Sequence, residues 1–173
     1  MIRRAFLATA FAVLAAPALA HGPTPQQLTK VVQVAASPDK VWAVIADPAA
    51  MADWQPDIVK VTMQGEGRGA KRTVEFKSGG TLLDGIDKID AEKMNIRWRL
   101  SEEDITVFPA SFYTNDITVA PRDGGSEVTW HASLYRADTT NEPADEYNDE
   151  AAVTAMEAFI DHGLAGIKAT AEK

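Results

Sequence analysis

The sequence predicts an α+β domain in which a curved, seven-stranded antiparallel sheet packs against two short helices and one long C-terminal helix. Two observations indicate this class. From residue 58 to residue 136 apolar side chains recur with a period of two, and short Gly-, Asp- and Pro-containing connections interrupt them, which is typical of strands joined by hairpins. After an acidic connection at 139–145, the period becomes that of one amphipathic helix that continues to the chain end. Strands followed by a separate helix are typical of α+β domains.

The sheet is expected to begin after an extended lead. Residues 21–27 contain Pro23 and Pro25, which lack the backbone N–H that strand pairing uses, so we expect this lead to stay outside the sheet. From residue 28 to residue 35 the apolar side chains alternate as they do in a strand. The folded domain is therefore predicted to span 28–173.

Two short helices are expected between this first strand and the hairpins. Ser37 is a favoured N-cap residue, and Pro38 suits the first helical position that follows it. The Asp-Pro pair at 47–48 interrupts that helix, because proline disfavours a helical residue before it. Residues 49–54 are then predicted to form the second short helix.

Six further strands are predicted from the alternation, at 58–64, 70–77, 81–90, 94–100, 112–119 and 126–136. In the run 94–100 the two faces differ in polarity, with Met94, Ile96, Trp98 and Leu100 on one and Asn95, Arg97 and Arg99 on the other. One face of the sheet is therefore expected to be buried and the other to face solvent. The long helix must cover the apolar face.

The first residues of the chain have the pattern of an export signal. Two arginines precede an apolar run at 5–16, and Ala18-Leu19-Ala20 supplies the small-x-small pattern that signal peptidase recognises. The apolar run is shorter than the roughly 20 residues that span a bilayer. We therefore expect residues 1–20 to be a cleaved signal peptide, His21 to become the N-terminus, and the mature protein to be periplasmic without membrane insertion.

Charge and residue content narrow the function classes. The formal net charge is −8, and loss of the two arginines of the signal lowers it to −10, which argues against nucleic acid or an anionic membrane as a partner and permits a basic protein partner. The chain has no cysteine, which excludes disulfides, zinc-thiolate sites, thiol catalysis and haem attachment through cysteine. We expect no cofactor.

The three histidines offer no catalytic site. Catalysis needs a nucleophile, a base or a metal in a shaped pocket, and these histidines stand at unrelated positions. His131 alternates with apolar neighbours and is expected on the solvent face, and His162 is expected near the end of the last helix, where an imidazole interacts favourably with the helix C-terminus. A free amine at His21 beside its imidazole would suit copper, but one ligand residue does not make a site, and the alternative is an ordinary chain terminus. We therefore predict no metal site and no catalytic residue.

Four segments together resemble the START-like, or helix-grip, superfamily (SRPBCC), which includes polyketide cyclases, lipid-transfer domains and plant allergen-type binders. Ser37-Pro38-Asp39-Lys40-Val41-Trp42 resembles its strand-to-helix entry, and the segment 46–56 resembles its second helix. Phe108-Pro109-Ala110-Ser111-Phe112-Tyr113 resembles its Pro-x-Ser-x-Tyr stretch, and 148–164 resembles the start and the Gly-Leu close of its last helix. The resemblance implies the helix-grip fold. Trp54-Gln55-Pro56 departs from the more usual Trp-His-Pro and lacks its histidine.

Within this superfamily, the signal peptide and the start of the mature chain at 21–26 resemble the MxaD-type periplasmic accessory proteins of bacterial methanol oxidation. This resemblance implies a non-catalytic helper of a quinoprotein methanol (alcohol) dehydrogenase and its cytochrome c acceptor. Pyrroloquinoline quinone would then belong to the dehydrogenase. Two alternatives remain open: a carrier of a small apolar ligand that needs no partner protein, and, least favoured, a cyclase-like enzyme.

A curved sheet under a long helix often leaves a ligand cavity, and the alternative is a filled core. The side chains expected around this space are Phe76, Trp98, Phe112, Trp130, Met156 and Phe159, with Trp54 and Tyr113 nearer its mouth. Arg72 and Asp84 fall on adjacent strands, in phase with apolar neighbours. They are expected either to pair inside the cavity as a polar anchor for a ligand, or to turn to solvent through a twist or bulge.

Overall fold

A computed structural model describes residues 22–173, so the predicted signal peptide at 1–20 and the question of copper at His21 lie outside the described residues. The described part contains seven strands and three α-helices: β1 (Gln26–Val34), α1 (Pro38–Ile45), α2 (Met51–Trp54), β2 (Ile58–Gln64), β3 (Lys71–Phe76), β4 (Thr81–Asp90), β5 (Asn95–Glu102), β6 (Ala110–Arg122), β7 (Gly125–Arg136) and α3 (Asp149–Ala171). One-turn 3₁₀ segments precede α2 and α3. No helix in residues 22–173 is both long and apolar enough to cross a bilayer.

The strands form one antiparallel sheet in the order β1-β7-β6-β5-β4-β3-β2. From β2 to β7 each strand lies beside the next in sequence, as hairpins require. The connection through α1 and α2 carries the chain from β1 at one edge to β2 at the other. The predicted α+β, helix-grip architecture is confirmed.

Several strand boundaries differ from the prediction, and β6 (Ala110–Arg122) extends beyond the predicted 112–119 at both ends. β1 begins at Gln26 rather than at residue 28, because Gln26 pairs with Leu134 immediately after Pro25. The strand lies at the sheet edge and pairs on one side, so the missing N–H of the preceding proline does not prevent this pairing. β5 begins at Asn95, because Met94 adopts a left-handed backbone conformation with φ 45° in the hairpin.

Asn95 was expected on the solvent face and is instead only 6% exposed. Its side-chain amide donates hydrogen bonds to the Ile117 carbonyl at 3.1 Å and to the Thr118 hydroxyl at 3.0 Å on the neighbouring strand β6. A polar side chain beside a hairpin is buried here because its donors are satisfied.

Local capping explains the short helices. The Ser37 hydroxyl accepts a hydrogen bond from the Lys40 amide at the start of α1, and Pro38 occupies the first turn, as predicted. The Asp47 carboxylate accepts from the Ala49 amide at 2.8 Å, which starts the 3₁₀ turn before α2. These turns place Trp54 and the segment after it beneath α3.

The core lies between the sheet and α3. The inward side chains of β7 are wholly buried, as are the apolar side chains along one side of α3; they include Val128, Trp130, Ala132, Leu134, Met156, Ile160 and Ile167. We call the sheet face toward α3 the inner face and the opposite one the outer face. The predicted division of the last strand and the last helix into apolar and polar sides is confirmed.

Two glycines allow α3 to approach its neighbours closely. A Cβ on Gly163 would lie 2.5 Å from the Trp130 ring, and a Cβ on Gly166 would lie 1.7 Å from the Trp54 carbonyl oxygen. Real Cβ atoms do not come this close to other heavy atoms, so at Gly166, where the contact is with backbone, the helix would have to move away, and at Gly163 the buried Trp130 ring or the helix would have to shift. The position of α3 therefore depends on these two residues.

We predict that Gly166→Ala destabilises the fold although alanine has the higher helix propensity. Overpacking against the Trp54 carbonyl should lower the free energy of unfolding by about 2 kcal/mol. The matched control is Ala165→Gly on the exposed side of the same turn, which should cost about 1 kcal/mol through helix propensity alone. Urea denaturation of both variants measures this, and a stabilised Gly166→Ala would contradict the close approach.

Candidate ligand groove and buried polar cluster

Aromatic side chains fill the centre of the space between the sheet and α3. Trp130 lies in the middle and makes edge-to-face contacts with Trp54, Trp98 and Phe159 at centroid distances of 6.0, 5.6 and 5.8 Å. Such contacts add to the hydrophobic burial of each ring. The sequence left open whether the space under α3 is a ligand cavity or a filled core. The centre of the domain is a filled core.

A groove remains open at one side of this core. It has a volume of about 240 Å³ and lies between α3, the β3–β4 hairpin and the loop at 103–109. Its apolar lining includes Phe76, Val107, Phe108, Ala155, Ala158 and Phe159, and its polar lining includes Asp57, Lys77 and His162. Phe76, Phe108 and Phe159 pack on one another at 6.0 to 6.4 Å.

Two of the side chains expected around a cavity, Phe76 and Phe159, line this groove. Trp54, Trp98, Trp130 and Met156 lie in the filled core instead, each at most 4% exposed. Tyr113 was expected near a mouth and is buried. Val107 and Phe108 line the groove although the sequence pattern did not single them out as lining residues.

Phe112 was expected inside and is 37% exposed. The pairing of β6 with β7 is irregular between Ala110 and Phe112, so Ala110 and Tyr113 both face inward and Phe112 faces outward. A bulge of this kind adds one residue and reverses the alternation after it. Alternation back along β6 from the buried Ile117 and Val119 places Phe112 on the outer face, so the expectation that its ring lies inside was wrong.

Arg72 and Asp84 form an ion pair inside the domain, which decides between the two alternatives drawn from the sequence. They lie opposite each other on β3 and β4, and each is 1% exposed. Arg72 Nη2 lies 2.8 Å from Asp84 Oδ2, and Arg72 Nε donates to the same oxygen at 3.3 Å. The Arg72 guanidinium carbon lies 4.9 Å from the centroid of the Trp98 ring.

The pair has further polar partners. The Tyr113 hydroxyl donates to Asp84 Oδ1 at 2.8 Å, and Arg72 Nη1 donates to the Pro48 carbonyl at 3.4 Å. We call Arg72, Asp84 and Tyr113 the buried polar cluster. It links strands β3, β4 and β6 on the inner face, and a buried pair is tolerated when both charges are satisfied in this way.

Burial controls the protonation of this cluster. Removal from water raises the pKa of Asp84 above its ordinary value, and the Arg72 charge and the hydrogen bonds oppose this shift only in part. Burial also raises the pKa of Tyr113 well above its usual range, and the neighbouring Asp84 carboxylate raises it further. Tyr113 therefore remains a neutral hydrogen-bond donor.

Other buried polar groups surround Trp130. Its indole N–H donates to the Asn115 side-chain oxygen at 2.8 Å. The Asn115 amide nitrogen and the Trp54 indole nitrogen are buried and have no hydrogen-bond partner among the described residues. Gln55, which stands where the superfamily more often has histidine, is fully buried and donates to the Phe159 carbonyl at 2.9 Å.

The sequence did not predict that Asp57 and His162 would pair at the groove. His162 Nδ1 lies 3.0 Å from Asp57 Oδ2, and both side chains are partly exposed. His162 was expected near the end of the last helix, but α3 continues to Ala171, so the imidazole lies well before the helix C-terminus. Its spacing of three residues from Phe159 could have placed it on the groove side of the helix. Because Asp57 contacts Nδ1, the Nε2 atom is the ring nitrogen available for a hydrogen bond with a ligand.

The remaining histidine and the metal-ligating residue types form no site in the described part of the chain. His131 is exposed as expected, and its Nδ1 lies 2.9 Å from the Thr29 hydroxyl. Within residues 22–173 no three His, Asp or Glu side chains come together as metal ligands would.

We predict that Arg72→Met destabilises the fold by about 3–5 kcal/mol at neutral pH, because it leaves the Asp84 carboxylate buried without a cation. The folded-state pKa of Asp84 is already above its ordinary 3.8, so ionisation of Asp84 lowers the free energy of unfolding as the pH rises. Without Arg72 this loss of stability with rising pH should be larger. The deficit of the variant should therefore shrink when urea denaturation is repeated at about pH 3.

The matched control for this prediction is the double variant Arg72→Met/Asp84→Leu, which removes both charges. It should recover most of the lost stability, since apolar residues can replace a buried pair at little cost. A deficit that is the same at both pH values, or that persists in the double variant, would contradict the account of the buried polar cluster.

Comparisons with known proteins agree with this architecture. XoxI from Bacillus cereus superposes with a TM-score of 0.69 at 19% identity, covering 82% of this chain and 92% of that chain. Norcoclaurine synthase from Thalictrum flavum, in complex with dopamine and hydroxybenzaldehyde, gives a TM-score of 0.63 at 16% identity, with 98% and 95% covered. Ara h 8.0201 gives 0.65 at 17% identity, with 86% and 98% covered. At such identities the likeness shows the fold alone.

No curated protein matches the chain. The family described as "Polyketide cyclase / dehydrase and lipid transport" matches residues 25–172, which is nearly the whole described domain. The match and the helix-grip architecture agree with the resemblance seen in the sequence, and the chain belongs to this family of the START-like (SRPBCC) superfamily.

Proposed function

We propose that this protein is a non-catalytic binding protein that holds a small, largely apolar molecule in the groove beside α3. The observation that carries this proposal is the groove itself, which is lined by the Phe76, Phe108 and Phe159 rings and lies beside the filled aromatic core. The family description includes lipid transport, and the norcoclaurine synthase structure holds dopamine and hydroxybenzaldehyde. Small-molecule binding is therefore represented among proteins of this fold.

The dimensions and the rim indicate the kind of ligand. A volume of about 240 Å³ is below the roughly 300 Å³ at which pockets for drug-sized molecules begin, so a one-ring or short-chain molecule is expected. Lys77, Asp57 and His162 lie at the polar side of the groove. A ligand with one apolar end and one hydrogen-bonding end matches this distribution.

The position of the polar residues supports a non-catalytic role. Arg72 and Asp84, the pair that a cyclase-like mechanism would use, are 1% exposed and are not among the residues that line the groove. An enzymatic alternative would instead need the Asp57–His162 pair as its base. Substitution of His162 by alanine distinguishes the two hypotheses. Binding through the rings should be retained in this variant, whereas catalysis that uses the Asp57–His162 pair as its base should be lost.

We predict that Ala158→Phe weakens ligand binding by roughly tenfold or more, because the added ring occupies the groove from an exposed position on α3. The probe is the neutral fluorophore N-phenyl-1-naphthylamine, titrated into the purified protein. Ala165→Phe is the matched control, since Ala165 is also exposed on α3 but does not line the groove. Native mass spectrometry of the purified wild type should also show retained mass.

Equal binding of the fluorophore by wild type and Ala158→Phe would exclude the groove as the site. Absence of both fluorophore binding and retained mass would exclude the carrier function.

A second candidate is an accessory role in alcohol oxidation, and the N-terminal sequence favours it. The signal-like segment 1–20 and the start of the mature chain at 21–26 resemble the periplasmic helpers of methanol oxidation. In this proposal the mature, acidic protein works in the periplasm and contacts the quinoprotein dehydrogenase or its cytochrome c. Complementary surface charge would steer such a transient encounter.

We predict for this second candidate that the mature protein produces a saturable rise in the rate of electron transfer from purified methanol dehydrogenase to its cytochrome. The rate is followed by cytochrome reduction over a range of concentrations, with heat-denatured protein as the control. An unchanged rate across that range would exclude the accessory role and leave the groove proposal unaffected.

A further inference from the structure

A cluster of positive charge lies on the outer face of the sheet. Arg68, Lys88, Arg97 and Arg99 line one shallow depression of about 560 Å³, together with Asp87 and Ile89. We call these four cationic side chains the basic patch. The whole chain carries a formal net charge of −8, so the sign of the charge here is opposite to that of the protein as a whole.

The fold itself assembles this patch. Arg97 and Arg99 alternate along β5 with buried side chains and are both exposed. An irregularity in β4 places Lys88 opposite Arg97 and leaves its neighbour Asp87 beside Arg99. Two backbone hydrogen bonds, one at the amide and one at the carbonyl of Ile86, hold the loop that carries Arg68 against β4.

Nearby carboxylates neutralise only part of the patch. Arg99 pairs with Asp87 at 3.2 Å, and Lys88 pairs with Asp90 at 3.4 Å. Arg68 and Arg97 have no ion pair or side-chain hydrogen bond with any residue from 22 to 173. Asp116 lies opposite Arg97 on β6, but its carboxylate accepts a hydrogen bond from Asn95 instead.

We propose that the basic patch is a docking surface for an acidic face of another protein. Three of the four cations are arginines, and arginine is enriched at protein interfaces where lysine is depleted. The patch spans two strands and a loop and includes the apolar Ile89. A patch of this extent suits a partner surface that bears several carboxylates better than it suits a single small anion. It lies on the sheet face opposite α3, so this surface does not depend on a ligand in the groove.

The acidic character of the rest of the protein does not prevent such contact. At an ionic strength of 0.1 M the Debye length is about 10 Å, so a docked partner responds mainly to the nearest charges. The distant acidic residues act instead on orientation, because they repel an acidic partner from the other faces. Docking is therefore expected to weaken steeply with salt.

The test uses a fluorescein-labelled oligoglutamate peptide as a defined acidic probe, with binding measured by fluorescence anisotropy at low and moderate ionic strength. Arg97→Glu/Arg99→Glu should weaken binding by roughly tenfold or more. Lys40→Glu/Lys173→Glu changes the net charge by the same amount at exposed positions outside the patch and should change binding by less than about twofold. Circular dichroism checks that each variant is folded.

Arg68→Gln/Arg97→Gln is a milder second variant, because it removes the two arginines without ion partners and leaves the Arg99–Asp87 pair intact. It should also weaken peptide binding clearly. The proposal is overturned if wild type does not bind the peptide at low salt, or if the control weakens binding as much as the patch variants. It is also overturned if inorganic phosphate displaces the peptide at micromolar concentration, or if phosphatidylglycerol vesicles bind the patch more tightly than the peptide does.

Discussion

The close approach of α3 to the inner face of the sheet is the constraint on which the rest of the structure depends. Gly163 lies where the Trp130 ring leaves no room for a Cβ, and Gly166 does the same beside the Trp54 carbonyl. With the helix this close, Trp54, Trp98 and Trp130 fill the centre of the domain, and no room for a central ligand remains there. The open space moves to the side of the helix, where it forms a groove floored by phenylalanine rings. A larger residue at either glycine would lift the helix and change the volume available to a ligand.

The buried polar cluster performs a different task from the one first considered for it. Arg72 and Asp84 pair with each other, Tyr113 and the Pro48 carbonyl add further hydrogen bonds, and none of the three cluster residues lines the groove. Such a pair adds little net stability over apolar side chains, but it penalises any register in which one partner loses the other. The cluster thus favours one alignment of β3, β4 and β6. A ligand bound in the groove, as proposed, would contact the phenylalanine rings and not the charges, because neither Arg72 nor Asp84 lines the groove.

The fold could be predicted from local sequence patterns, whereas the candidate site could be predicted from them only in part. The alternation along 94–100 and 126–136 and the helical period of the last segment are short-range signals, and they placed Trp98, Trp130 and Phe159 on the buried side. Alternation back from Ile117 and Val119 places Phe112 on the outer face, and the expectation that its ring lines a cavity departed from that signal. The Asp57–His162 pair joins residues from opposite ends of the chain. Whether the space under α3 is open depends on side-chain volumes in three dimensions, and a one-dimensional pattern does not contain that quantity.

Strand β5 shows how one short segment can serve two surfaces. Its Trp98 belongs to the aromatic core that supports the groove, while Arg97 and Arg99, on either side of it in sequence, belong to the basic patch on the outer face. The side chains on opposite faces of a strand do not touch, so substitutions at the two arginines leave the packing around Trp98 unchanged. If the groove binds a ligand and the basic patch docks a partner, as proposed, the two activities are separable by mutation, even though the same backbone positions both surfaces. If both surfaces act in the same process, the coupling between them has to pass through β5 and its neighbours, and a ligand that shifts Phe159 against Trp130 would act at the centre of that path.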